Sequence, residues 1–458
     1  MSDPVQRPHS PVPPQDVAAT RWLIFLYLLL WVVEGGLRKW VLPGLATPLL
    51  LVRDPLVIAI YFLAFQRGRF PINGFVTSAL AISVLGSLIA VAVGHGDIFV
   101  AAYGFRTFFL HLPLLWIMRS YLTRDDLYQI GRWGLALSVP MTLLLIAQYK
   151  SPESAWVNRG IGGEGTAVFD GALGKNRPPG TFSFITGPAA LYPLLTAFWF
   201  ALFLARKAPV WLLLISGVAI FLACPVSISR GLVVGVALVA GFGILACLRV
   251  SSMSPERFIG AVVGLVAVVG LAQLHPEFRV ASEAFMSRWD ASTTDHGGVD
   301  EAIVGRIVGD VFGPVQRAFD YPLLGYGIGL GTQVGAKIQT GEKGFALGES
   351  EFDRVLAELG PILGLGMMGL RIGLVFVLGT GSFSALRSGN FLPILFFATA
   401  APSILVGQWG QSTSLGAFAI TGGLTLLAFK RPKSLPRPAL AGSRADPAVT
   451  AAPSVRSA

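Results

Sequence analysis

Four carboxylates and an arginine crowd the stretch GESEFDRVLAELGPILGLGMMG, residues 348–369, just before it becomes a glycine-dotted apolar run. A carboxylate held at the mouth of an apolar bundle can act as a general base, because poor solvation favours the protonated form and so the acceptance of a proton. Glu349 and Glu351 are the candidates. The same residues also read structurally. Ser350 can cap a helix with Asp353 three residues on, acidic groups suit the positive end of a helix, and Arg354 can bridge Glu351 and Glu358 at spacings of three and four.

Arginines give the second chemical signal. Arg230, in CPVSISRGLVVGVAL, stands where one apolar run ends and the next begins; as a clamp it would hold an anion, and as a helix-end residue it would snorkel. Arg177 opens NRPPGTFSFITGPAAL, where two prolines and a glycine fix the chain before an apolar run. Arg306 begins GRIVGDVFGPVQRAFDYPLLGYG, on an expected amphipathic helix over 303–319. Three guanidinium forks from separate segments suit a phosphate or diphosphate, each offering paired donors to adjacent oxygens. Glu34 and Arg38, four apart in WVVEGGLRKW, are expected to neutralise each other. Arg371 lies about twenty residues beyond Glu351, roughly 30 Å along a continuous helix, and is expected to snorkel toward the cytoplasm.

Two motifs carry less. Gly160, Gly162 and Gly165 match the GxGxxG spacing but follow no strand, and YGIGLG reads as a flexible turn. No Cys/His cluster has zinc spacing, so neither a metal nor a cofactor is expected. The 2 cysteines, Cys224 and Cys247, are expected about a membrane thickness apart and unpaired.

The elements that position these residues follow from composition. The 458 residues are 53% hydrophobic and 13% charged, with a mean hydropathy of +0.66. That profile excludes an ordinary soluble domain. Apolar stretches long enough to span about 30 Å of hydrocarbon recur at 22–40, 47–65, 74–93, 98–118, 131–149, 181–204, 208–226, 231–248, 257–274, 355–379, 391–407 and 412–429. Continuous rather than alternating hydrophobicity selects helices over a barrel. The expected fold is an all-α, polytopic membrane helix bundle of about twelve spans.

Short loops set the expected orientation. Arg67, Arg69, Arg119, Arg124, Arg206, Lys207, Arg249, Arg257 and Arg387 mark one set of connections as cytoplasmic, together with both termini. Residues 1–20 and 431–458 are polar and expected to be disordered around a bundle at 21–430. About half of the net charge of +10 lies in the tail from Lys430 onward, which suits anionic membrane lipid rather than nucleic acid. Two long outer segments, about 150–180 and 275–350, are expected to carry the chemistry.

The series NRPPGTFSF, SISRGLVVG, GRIVGDVFGPVQRAFDYPLLGYGIG and ESEFDRVLAELGPILGL, over roughly residues 130 to 430, resembles the O-antigen ligase and O-antigen polymerase superfamily of bacterial membrane glycosyltransferases. The resemblance implies a metal-independent, inverting enzyme of the inner membrane. Such an enzyme takes a glycan from undecaprenyl diphosphate on the outer face and places it on a sugar hydroxyl of an acceptor glycan or lipid. Carried over by position, Arg230 and Arg306 would hold the diphosphate and Arg177 would support them. Where ligases of the superfamily show His followed by Asn, this chain has Glu349 and Ser350. The difference favours a polymerase or exopolysaccharide enzyme with Glu349 or Glu351 as base. A transporter, or a non-catalytic scaffold of an envelope-polysaccharide system, is the alternative from composition.

Overall fold

The computed structural model describes residues 14–163, 165, 169–170, 174–249, 270, 276–296, 306–341, 347 and 350–430. Helix α1 (Pro14–Gly36) begins ahead of the boundary expected at residue 20 and runs into a π-helical turn, Leu37–Val41. The turn α2 (Ala46–Leu49) leads to α3 (Arg53–Gln66) and then to α4 (Gly74–Ala92). Helix α5 (Ile98–Phe105) continues through a second π-helical turn, Arg106–Leu110, before α6 (Leu114–Tyr121). Next come α7 (Arg124–Lys150), the two-residue strands β1 (Phe169–Asp170) and β2 (Asn176–Arg177), and the helices α8 (Thr186–Ala205), α9 (Val210–Val226) and α10 (Arg230–Arg249). The last part holds α11 (Pro276–His296), α12 (Arg306–Gln316), α13 (Gln333–Thr340), α14 (Glu351–Arg387), α15 (Leu392–Leu405) and α16 (Ser412–Ala428).

Polar side chains start several of these helices where the first amides lack partners. Asn73 accepts from the amides of Phe75 and Val76, and Asp97 from those of Phe99 and Val100. Thr123 and Asp126 form a reciprocal box at α7. Ser350 accepts from the Asp353 amide at the start of α14, at 3.1 Å.

By length and composition, 7 of the described helices can cross a membrane, or 8 if the pair Ile98–Leu110 and Leu114–Tyr121, bent by 43°, is one span. Val210–Val226, Leu392–Leu405 and Ser412–Ala428 are apolar but shorter. The chain is therefore a helical protein of multi-pass membrane type. The span expected at 257–274 lies outside the described residues. Small residues let the helices approach closely. A Cβ on Gly235 would meet Pro193 at 2.6 Å, and one on Gly243 would meet Phe200 at 2.6 Å, so α8 and α10 lie side by side and parallel.

Hydrogen bonds define two ends of the bundle. At one, Arg67 Nη1 donates to Thr20 Oγ1 at 2.7 Å, Lys430 Nζ to the Leu122 carbonyl at 2.7 Å and Asn390 Nδ2 to the Ala428 carbonyl at 3.1 Å. Arg21 pairs with Asp126 there too. The other end gathers the close of α1, the starts of α3, α8 and α16, and the segments 176–183 and 406–411.

Helix α14 is broken. Gly360 takes φ +70° and ψ 174° ahead of Pro361, a left-handed backbone that a side chain disfavours. The amides of Tyr326 and Gly327 occupy the freed carbonyls of Ala357 and Glu358 at 2.7 and 3.1 Å. The stretch YGIGLG, expected to be flexible, is thus a staple across a broken helix. A small second core beside it joins Phe108 and Ile328 to Phe352, Leu356, Leu359 and Met367.

Candidate functional site

The break in α14 determines where its charges go. Because the chain turns at Gly360, Arg371 returns to Glu351 and its Nη1 lies 2.8 Å from Glu351 Oε1. The expected snorkelling of Arg371 does not occur, since that expectation assumed a straight helix. Arg371 also donates to the carbonyls of Ile404 at 2.6 Å and Gly407 at 3.0 Å, and its guanidinium lies 3.9 Å from the Trp409 ring centre. Arg354 lies 2.8 Å from Glu351 Oε1 and 2.9 Å from Glu358 Oε2. The amide of Gly331 completes Glu358 at 2.8 Å.

This quartet is buried, balanced in charge and hydrogen-bonded throughout, the arrangement in which a buried ion pair is tolerable. Both oxygens of Glu351 accept guanidinium donors. Glu349, the other candidate base, lies outside the described residues.

The second cluster is larger. Glu34, at the end of α1, receives Arg38 at 3.4 Å on one oxygen and Arg53 at 2.9 Å on the other. The expected Glu34–Arg38 pair forms, but Arg53 makes the shorter contact. Arg53 Nη2 also donates to the carbonyl and hydroxyl of Ser412 at 2.6 and 2.7 Å. Asp54, next in sequence, binds Arg106 on one oxygen and lies 3.1 Å from His111 Nε2 on the other. His111 Nδ1 reaches Tyr27 Oη at 2.8 Å. Arg106 Nη2 reaches the Ser412 hydroxyl at 3.3 Å. Lys39 is held by the carbonyls of Gly180 at 2.7 Å and Phe182 at 2.9 Å.

Three guanidinium groups here face two carboxylates. Arg53 is 1% exposed and Arg106 5%, yet Nη1 of each lacks a hydrogen-bond partner. A surplus of buried guanidinium donors is a capacity for an anion. Both π-helical turns contribute to it, one carrying Arg38 and Lys39 and the other Arg106. The extra residue of such a turn re-aims side chains, and these turns concentrate at functional sites.

One short segment, 407–412, joins the clusters. Gly407 and Trp409 hold Arg371, while Ser412 holds Arg53 and Arg106. A Cβ on Gly410 would lie 3.5 Å from Arg354 Nε.

The three arginines singled out in the sequence sit on separate elements. Arg230 is the first residue of α10, half-buried; with α10 parallel to α8, it lies at the same end as the clusters. Arg177 is on β2, paired across the hairpin with Phe169 and packed beside α7. Arg306 is the first residue of α12. Among the described residues no group of three His, Cys, Asp or Glu side chains is placed to hold a metal ion. Both cysteines are free.

Sequence reading passed over Arg53, Asp54, Arg106, His111 and Ser412. The signal was available in LVRDPLVIAI and FRTFFLHLP, where charges interrupt apolar runs. Averaging hydropathy over a span hides one such pair, although an ionisable residue inside a span marks function or a specific partner. No family model matches the chain, and no curated protein matches it.

Proposed function

We propose that this chain is a glycan polymerase or ligase of the bacterial inner membrane. It has about twelve spans and both termini in the cytoplasm, and acts at the outer face. The observation that carries this reading is the excess of buried guanidinium groups around Glu34, Asp54 and Ser412, with unpartnered Nη1 atoms on Arg53 and Arg106. A polyprenyl-diphosphate-linked glycan presents such a site with the charge it lacks.

In transfer, a hydroxyl of the acceptor sugar attacks the anomeric carbon. The bond from that carbon to the diphosphate oxygen breaks, and the hydroxyl proton passes to a base, for which Glu349 is the candidate, since both oxygens of Glu351 are engaged by guanidinium donors. Fixed arginine donors meet the charge that grows on the leaving diphosphate; one such donor is typically worth about 3 kcal/mol of barrier. The Nη1 atoms of Arg53 and Arg106 meet the diphosphate in this reading, with Arg230 and Arg306 holding it as the resemblance implies and Arg177 supporting them.

Proteoliposomes given a polyprenyl-diphosphate oligosaccharide and an acceptor glycan test the proposal. Transfer and release of polyprenyl diphosphate are expected, with loss of about two orders of magnitude in Arg230→Ala and Arg306→Ala. Full activity in both variants discards it.

A transporter is the second reading. The Tyr27–His111–Asp54–Arg106 chain favours it, because buried ionisable chains between membrane helices serve as proton relays. Solute flux driven by a pH gradient, without any lipid-linked donor, decides for it.

A further inference from the structure

Helix α12 presents two apolar stripes where an ordinary surface helix has one. Val311 and Ala318 are buried, Val311 within the helix and Ala318 in the 3₁₀ turn that follows, and α12 packs on the first part of α14. Phe312, Val315 and Phe319, at spacings of three and four, form the other stripe and are 59%, 41% and 79% exposed. The turn that follows adds Leu323 at 61% and Tyr326 at 46%. Soluble surfaces seldom leave so large a contiguous apolar patch uncovered.

What borders the patch identifies its occupant. The Leu323 carbonyl packs against Gly360, where an ideal Cβ would meet it at 2.3 Å, and Ile362 in the first turn beyond the break is 65% exposed. On the other side the Tyr326 carbonyl lies 3.0 Å from where Gly94 would carry a Cβ, directly after α4, whose Leu88 is 61% exposed. Helices α4 and α14 both meet the length and composition of membrane spans. The patch therefore extends their apolar outer surfaces from one to the other. The charged residues Arg317 and Asp320 border the patch, and Arg317 reaches back to Asp353 at 3.2 Å.

We propose that α12 and the turn after it lie in the bilayer interface, with Phe312, Val315 and Phe319 inserted among the acyl chains beside the charged clusters. An apolar face backed by charged groups is the form of helix that lies in this boundary. The lipid surface itself is the partner. The proposal needs only that the bundle spans the bilayer and stands apart from the transfer chemistry.

The test uses the full chain in phosphatidylcholine/phosphatidylglycerol nanodiscs. Nitroxide labels are placed singly through Phe312→Cys, Phe319→Cys, Asp320→Cys and, as a lipid-facing reference within α14, Phe376→Cys. The parent chain, whose Cys224 and Cys247 lie on bundle helices, supplies the background signal. Collision with oxygen, which concentrates in lipid, is compared with collision with a water-soluble nickel chelate. Labels at 312 and 319 are expected to match 376, with a several-fold excess of oxygen collisions, and 320 to show the reverse. A label at 319 that meets the nickel chelate as freely as one at 320 overturns the proposal. Suppression of both collisions at 319, with spin–spin broadening between chains, also overturns it and assigns the patch to a second copy.

Discussion

At the residue scale, the buried charges divide into a balanced set and an unbalanced one, and the two should respond differently to substitution. Arg371 is locked between Glu351 and the Ile404 and Gly407 carbonyls. Arg371→Leu strips Glu351 of one cation in a buried site, and we expect a loss of about 3–5 kcal/mol in denaturant unfolding from detergent micelles. The double variant Glu351→Leu/Arg371→Leu removes the stranded charge with its partner and is expected to recover much of that loss. If the loss in the double variant equals the sum of the losses in Glu351→Leu and Arg371→Leu, the pair is not coupled. Ser412 accepts from both Arg53 and Arg106, so Ser412→Ala leaves two buried donors short of an acceptor and should cost about 1–3 kcal/mol in the same assay. The contacts of Arg354 were legible in the sequence because spacings of three and four are set within one helix. Those of Arg53 and Arg106 were not, since their shared partner Ser412 lies hundreds of residues away along the chain and only packing brings it near.

Elements explain why the balanced set exists. The pairing of Glu351 with Arg371 depends on the turn at Gly360, where a Cβ would clash with the Leu323 carbonyl and the positive φ itself costs a side chain roughly 1–2 kcal/mol. Gly360→Ala is therefore expected to destabilise the chain by more than that figure and to widen the distance between spin labels on the two halves of α14. An unchanged distance would show that other contacts hold the bend. Hydropathy drew one span through 355–379 because glycine and proline are common in membrane helices, so nothing in the apolar pattern marks the break. Of the amphipathic pattern at 303–319, the described part forms α12 over Arg306–Gln316, since periodicity survives without tertiary contacts, while 303–305 lie outside the described residues.

The first turn of α14 also holds Tyr321, whose hydroxyl donates to Asp353 at 3.1 Å. Burial, and then the neighbouring Asp353 carboxylate, push this phenol above its ordinary value of 10.0. Its folded value thus exceeds its unfolded one, so its contribution is complete below about pH 10 and fades as pH rises through the folded value. Tyr321→Phe should lose about 0.5–1.5 kcal/mol at neutral pH, and its stability curve should converge with that of the parent chain in alkali.

For the whole molecule, the class was legible because lipid leaves so few options: a chain of recurrent apolar runs must bond its backbone within each run. The number of crossings is harder to read. Length alone passes 7 or 8 helices, because α9, α15 and α16 are short and the pair Ile98–Leu110 and Leu114–Tyr121 is bent by 43° at the break between them. Orientation is the property on which the proposed chemistry turns, as it decides which compartment meets the surplus guanidinium groups. Arg67, Arg124 and Lys430 all gather at the end opposite Ser412, and Arg119, Arg206, Lys207 and Arg387 fall in or beside the same set of connections. Lysine and arginine are retained on the cytoplasmic side. Gln66→Cys and Ser388→Cys at that end are both exposed positions, and in intact cells they should resist a membrane-impermeant maleimide until the membrane is permeabilised. Ser154→Cys and Gln339→Cys, exposed at the Ser412 end, should react at once. The opposite labelling pattern would place the charged clusters at the cytoplasmic face, where an outer-leaflet glycan donor has no access, and the transferase proposal would fall with the orientation.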